Sequence, residues 1–248
     1  MSLPSILRRL RHRGARELLS LVVKNARHMA RGLTPAERAR RDADRAFDLR
    51  YGTDTHAAVG LGELDIRRSR ASHCRRYEMS NEAMLRDPVA ALAIDPTQWS
   101  FVDYGAGKGR MVMLAMEMGF RDVTGVELSH RLCGIARANI ARFRAAHPSL
   151  PAPQLQCADA TVLRPQGQRL LAYFYNPFDA SIMAVVRRRL EAAIPAGAEA
   201  VSVIYANPEF AEVFAEAPGW SWRELRPGLG IATADPAAFA ARGLAAAA

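Results

Sequence analysis

Trp99-Ser100-Phe101-Val102-Asp103-Tyr104-Gly105-Ala106-Gly107-Lys108-Gly109-Arg110 is an apolar run that ends on an acid and opens into alternating glycines. The run has the length and side chains of a buried strand, and Met111 to Met118 after it carries the pattern of a helix. A glycine loop in that setting leaves no side chain between backbone and ligand. Its amides then face the ligand at a helix N-terminus. The spacing Gly105-x-Gly107-x-Gly109 differs from the G-x-G-x-x-G of dinucleotide sites, and there is no G-x-x-x-x-G-K-[ST] run. Nicotinamide, flavin and P-loop nucleotide readings are therefore disfavoured.

Working outward, Asp122 to Glu127 reads as a second strand and Arg131 to His147 as a second helix with Ile135, Ala138, Ile140 and Phe143 inward. Leu155 to Cys157 reads as a third strand. Leu170 to Tyr175 is a fourth, apolar on both faces as a central parallel strand should be. Ser181 to Ile194 is helical and Ala200 to Tyr205 a fifth strand. Trp220 to Thr233, turning at Arg226-Pro227-Gly228, suggests a closing hairpin. Strands alternating with helices predict an α/β fold with a doubly wound, mostly parallel sheet. Before this core, Asn81 to Ala93 reads as a helix that Pro88 should bend or break.

Acids close three of the strands or the turns just beyond them. Asp103 precedes the glycine loop, Glu127 ends the second strand 18 residues after Gly109, and Asp159 follows the third. Taken singly, each reads as a solvated turn residue. Together they lie at the carboxyl edge of a parallel sheet, where ligands bind. A carboxylate at Asp103 suits a cationic ligand better than a pyrophosphate. S-adenosylmethionine carries an ammonium and a sulfonium, so charge complementarity favours it. Glu127 can accept both ribose hydroxyls, and Asp159 an adenine amino group.

Asp103 to Arg110, Gly125-Val126-Glu127-Leu128-Ser129 and Ala158-Asp159-Ala160 resemble class I S-adenosylmethionine-dependent methyltransferases over about residues 75 to 233. The resemblance implies a Rossmann-like transferase fold and cofactor contacts at Tyr77, Asp103, Gly105, Gly107, Gly109, Glu127, Asp159, Ala160 and Asn176. Val102 to Arg110 with Gly125 to Leu128 looks like the branch containing non-SET protein lysine methyltransferases. The whole arrangement resembles bacterial methyltransferases with no assigned substrate. Tyr77-Glu78 and Asn81-Glu82-Ala83-Met84-Leu85 are similar to the segment that, in that branch, covers the cofactor and begins the acceptor channel. Asn176-Pro177-Phe178 resembles the Asn-Pro-Pro-aromatic motif of amino-group methyltransferases, lacking its second proline. The resemblance implies that Asn176 accepts from a target amino group and that Phe178 packs over it. A strand-ending turn is the alternative. Tyr173, Tyr175 and Glu78 can line the pocket, and Glu78 can act as a base. His73 and His130 stand near the predicted site and read as structural.

The expected reaction is methylation of an amino or amide nitrogen, with a protein side chain among the acceptors. Alternatives are O- or N-methylation of a small molecule, RNA or DNA methylation, and a cofactor-binding pseudoenzyme. No metal is needed for transfer from a sulfonium, and no ligand cluster stands out.

The 248 residues carry a net charge of +9, and residues 1–50 hold +8 of it. This basic helical extension can meet nucleic acid or an anionic surface through residues 8–50, or be a solvated face. Thr34, Pro35 and Glu37 mark the start of a helix running to about Arg50. The expected organisation is an extension over 1–50, a loop-rich cofactor-covering segment over 51–98, the core over 99–236 and an alanine-rich tail over 237–248. Cys74, Cys133 and Cys157 form no CxxC, which predicts free thiols and a cytoplasmic location. No apolar run reaches the roughly 18 residues of a membrane span.

Overall fold

The computed structural model describes residues 42, 45–66 and 77–239. The chain divides into two compact units, Met1–Phe47 and Asp48–Ala248. Residues 42 and 45–47 of the first are helical. The readings of residues 1–41, of His73 and Cys74 and of the tail beyond 239 lie outside the described residues.

The second unit holds a seven-stranded sheet in the order β3-β2-β1-β4-β5-β7-β6. Its strands are β1 (Ser100–Tyr104), β2 (Asp122–Glu127), β3 (Gln154–Cys157), β4 (Arg169–Tyr175), β5 (Ala200–Ala206), β6 (Trp220–Arg226) and β7 (Leu229–Ala234). The first five run parallel; β7 pairs antiparallel with both β5 and β6. This is the doubly wound, mostly parallel α/β sheet that the alternation of elements predicts. Among the described residues from Tyr77 on, five helices accompany it: α1 (Ala83–Leu92), α2 (Arg110–Glu117), α3 (His130–Ala146), α4 (Ala180–Ala193) and α5 (Glu212–Ala215).

Local chemistry sets the helix starts. Ser129 accepts from the Leu132 amide to open α3, and Asp179 accepts from the Ser181 and Ile182 amides to open α4. Pro88 lies within α1, buried, and the helix runs on through it, so the expected break does not occur. The segment read as a loop holds a helical turn at Leu61–Glu63 and an isolated bridge between Val59 and Tyr77.

β1 has β2 on one side and β4 on the other, and successive connections leave it in opposite directions. The crevice beyond the carboxyl ends of β1 and β4 is thus a topological switch point, where such sheets bind ligands. The two faces of β1 differ. Val102 and Tyr104 join the apolar cluster built with Phe174, Val186 and Leu190. Phe101 and Asp103 face the other way, with Asp103 in register beside Tyr173.

The expectation of free thiols is corrected at one pair. Cys133, in the first turn of α3, is disulfide-bonded to Cys157 at the end of β3, with Cα atoms 6.0 Å apart. Parallel pairing sets Cys157 beside Glu127, and the turn after Glu127 carries α3 back over that position. Sequence spacing hides this contact.

Candidate functional site

A cavity of about 1010 Å³, counting its open mouth, occupies the switch point. Tyr77, Glu78, Asp103, Gly105, Glu127, Asp159, Ala160, Pro177 and Phe178 line it, as do Tyr173 and Tyr175. Gly107, Gly109 and Asn176 are not among the lining residues, and His130 is exposed outside it.

The glycine loop is shaped by what presses on it. Gly105 has φ +81, and a Cβ there would stand 2.7 Å from the Cβ of Pro177 across the crevice. Gly107 has φ +54 and is covered by the Tyr77 ring. Its amide donates to Glu127 Oε2 at 2.9 Å, while the Ser129 amide donates to Oε1 at 2.8 Å. Glu127 is therefore held rigidly by the loop and by the start of α3. Gly109 caps α2 in a left-handed conformation, close against Ala136 of α3. Two of the three glycines thus serve the loop's shape and its packing rather than the cavity wall.

The electrostatics centre on two buried carboxyls. Burial, and then the charge of Glu127, push the Asp103 carboxyl up to about 8. No side chain or amide among the described residues donates to it. Burial also raises Glu127, against the opposing pull of the Ser129 and Gly107 amides. A pair of desolvated acids that no cationic side chain among the described residues pairs with suits a ligand that carries positive charge or several hydroxyls. Asp159 has a structural task as well: its Oδ1 accepts from the amide and hydroxyl of Thr161 and caps the turn Ala160–Val162.

Asn176 departs from the orientation the resemblance implies. It has φ +40 and is buried, and its Oδ1 accepts from the Tyr205 hydroxyl at 3.3 Å. Tyr205 on β5 shares a sheet face with Phe174, opposite the face that carries Tyr173 and Tyr175. Asn176 lies just past the end of β4, and its left-handed φ, rather than the alternation of the strand, sets the direction of its side chain. Pro177 and Phe178, one step further along, return to the cavity. A further Asn-Pro pair, Asn207-Pro208, follows β5; Asn207 has φ +49 and its backbone amide donates to the Gly228 carbonyl, which makes it a structural turn.

Arg110, Ser80, Leu64, Ile66 and Ile182 also line the cavity, and the sequence motifs had assigned none of them. Arg110 is the most telling. It begins α2, is 3% exposed, and its Nη1 donates to the Ser80 carbonyl at 3.3 Å. Its position directly after Gly109 was the available signal, obscured because arginine supplies 32 of the chain's 34 basic residues.

No family model and no curated protein matches this chain. Among solved structures it is similar to magnesium protoporphyrin IX methyltransferase from Synechocystis with bound S-adenosylhomocysteine. That likeness has a TM-score of 0.44 at 13% identity and covers 62% of this chain and 81% of the other. It is also similar to an RNA methyltransferase from Salinibacter ruber in complex with S-adenosyl-L-homocysteine. There the TM-score is 0.43 at 16% identity, with 62% of this chain and 91% of the other covered.

Proposed function

We propose that this chain is an S-adenosylmethionine-dependent methyltransferase acting on an amino or amide nitrogen. The observation that carries the first half is the convergence of Asp103, Glu127 and Asp159 with a glycine loop on one cavity at the switch point. The residues present fit the cofactor's chemistry. Glu127, oriented by two amides, keeps lone pairs for both ribose hydroxyls. Asp103, buried and in no ion pair among the described residues, suits the ammonium. Arg110 offers a guanidinium to the carboxylate at the same end. Asp159 and Ala160 border the adenine end. When bound, the cofactor supplies a methyl group activated by a sulfonium.

The protein's own part is then positioning and exclusion of water. Tyr77, Pro177, Phe178 and Ile182 wall the cavity. Holding an acceptor in line with the methyl carbon converts a bimolecular reaction into an effectively unimolecular one. Glu78 lines the same cavity and can take the proton that a nitrogen nucleophile must shed. Pro177-Phe178 after Asn176, in the same cavity as Tyr175 and Glu78, supports the nitrogen acceptor. A protein side chain is the acceptor that the lysine-methyltransferase resemblance favours.

The test is transfer of a labelled methyl group from S-adenosylmethionine into fractionated lysate, sorted into protein, RNA and small molecules. Label in acid-stable N-methyl groups of protein is the expected result. Label only in RNA or in small molecules would replace the acceptor. No label, together with no cofactor heat by calorimetry, would end the reading.

A further inference from the structure

The segment ahead of the core touches the glycine loop through a polar network that cofactor contacts do not explain. Asn139, in the third turn of α3, is 0% exposed, and a buried carboxamide must satisfy both its ends. Its Oδ1 accepts from the Asp54 amide at 2.9 Å; its Nδ2 donates to the Asp54 carbonyl and to the Lys108 carbonyl, each at 3.0 Å. One side chain thus holds a residue of the covering segment and a residue of the loop at once. The same two residues meet directly, with Lys108 Nζ 3.0 Å from Asp54 Oδ1. Lys108's side chain is 3% exposed and Asp54's 55%, so the buried ammonium depends on this partner far more than the carboxylate does.

The next residue extends the connection. The Thr55 carbonyl accepts from the Tyr77 hydroxyl at 2.7 Å, and the Tyr77 ring covers Gly107 and lines the cavity. The turn that presents Asp54 and Thr55 is itself stapled by Asp48. That carboxylate accepts from the hydroxyls of Thr53 and Thr55, the amides of Thr55 and His56, and pairs with His56 Nδ1 at 2.7 Å. Asp48, Asp54 and His56 bring ligand-type atoms within 4.8 Å of one another, a cluster the sequence did not suggest. With the Asp48 oxygens already accepting so many hydrogen bonds, the group reads as a staple rather than a metal site.

We propose that Asn139 and the Lys108–Asp54 pair form a clasp that fixes the glycine loop to the covering segment and so sets how tightly the cofactor is held. They are positioning residues: they touch the loop, not the cavity. The inference rests on the methyltransferase reading for the identity of the ligand. Uncoupled, the loop and Tyr77 would lose the geometry that Glu127 and the cavity require.

The full-length chain carrying Asp54→Asn, Asn139→Ala, or Asp54→Asn with Lys108→Met tests this, using S-adenosylhomocysteine as the probe in calorimetry. Asp54→Asn should weaken binding about tenfold, the scale of one lost bond to a charged group, and Asn139→Ala at least as much. The double variant, with no unpaired buried ammonium, should regain stability yet bind the probe as weakly as Asp54→Asn, because the clasp is still absent; a role in general stability alone would restore both. Hydrogen exchange at the Gly107 and Gly109 amides of the ligand-free protein should accelerate in both single variants. Wild-type affinity and wild-type exchange in a folded Asp54→Asn protein would overturn the clasp, even if Asn139→Ala fails to fold. If the wild type itself does not bind the probe, the methyltransferase reading fails, and the exchange rates still decide the clasp.

Discussion

The ring of Tyr77 lies so close to Gly107 that a Cβ on the glycine would run into its Cδ2–Cε2 edge. Gly107 also holds a φ of +54, which side chains rarely adopt, and its amide orients Glu127. Gly107→Val should therefore abolish binding of S-adenosylmethionine and S-adenosylhomocysteine by pushing Tyr77 out of the cavity wall. Gly119, with φ +81 and nothing within 4 Å of a built Cβ, supplies the control. Gly119→Ala should cost about 1 kcal/mol of stability through backbone strain and leave binding intact. Calorimetry and circular dichroism on both variants check this; full affinity in a folded Gly107→Val protein would refute it.

Asp103 links the cofactor to pH. Its carboxyl is raised to about 8 in the fold, well above the unfolded value of 3.8. Between those two values the folded state keeps a proton that the unfolded state has released. Its contribution to stability is full below the unfolded value and is lost as pH rises toward 8, with a slope of up to about 1.4 kcal/mol per pH unit. Urea midpoints of the ligand-free protein should accordingly fall from pH 6 to pH 8, and Asp103→Asn should flatten that trend. A cationic ligand reverses the preference, since it pairs with the ionised form. S-adenosylhomocysteine should then bind more tightly at pH 8 than at pH 6, releasing a proton, and Asp103→Asn should remove that dependence.

Asn176 and Tyr205 separate chemistry from architecture. A role for Asn176 in transfer requires its Oδ1 to exchange the Tyr205 hydroxyl for the target nitrogen; on that reading Asn176→Ala should leave cofactor affinity nearly unchanged and cut methyl transfer about a hundredfold. It should also lower stability by about 1–3 kcal/mol, because the buried Tyr205 hydroxyl loses its acceptor. Tyr205→Phe frees the Asn176 oxygen and should retain most of the transfer rate. Wild-type turnover by Asn176→Ala would remove the anchor of the nitrogen-acceptor reading.

Cys133 and Cys157 close a loop of 24 residues. Chain entropy assigns such a loop roughly 3 kcal/mol. Reduction, or Cys133→Ser with Cys157→Ser, should lower the melting temperature by about 5–10 °C for a domain of this size. Scanning calorimetry with and without a reductant checks it; an unchanged melting temperature would show that the bond adds no stability.

The extent to which the fold was legible follows from the range of the interactions involved. β2 was readable to its end residues because Asp122 to Glu127 is a self-contained strand pattern. The glycine loop was readable because strand, loop and helix are consecutive. The position of β7 between β5 and β6 was not, since pairing of distant segments leaves no local mark. Pro88 misled because it is a local signal overridden by packing of α1. At the site, the acids at Asp103 and Glu127 were visible from the strand ends. The direction of Asn176 was not, because a residue just past a strand can turn to either face of the sheet. Asn139 was invisible for a different reason: a polar residue inside an amphipathic helix reads as solvated until its partners at Asp54 and Lys108 are known.

The antiparallel insertion of β7 has a consequence for biosynthesis. Until residues 229–234 have left the ribosome, β5 lacks its outer neighbour, and its side chains from Val201 to Ala206 are all of the buried kind. During that interval the nascent chain presents an open apolar edge, the kind of surface that recruits other strands. A chain truncated shortly before Leu229 would keep the glycine loop and the acids around it yet aggregate. Emergence of Leu229–Ala234, rather than assembly of the cofactor crevice, is the step that closes this edge of the sheet.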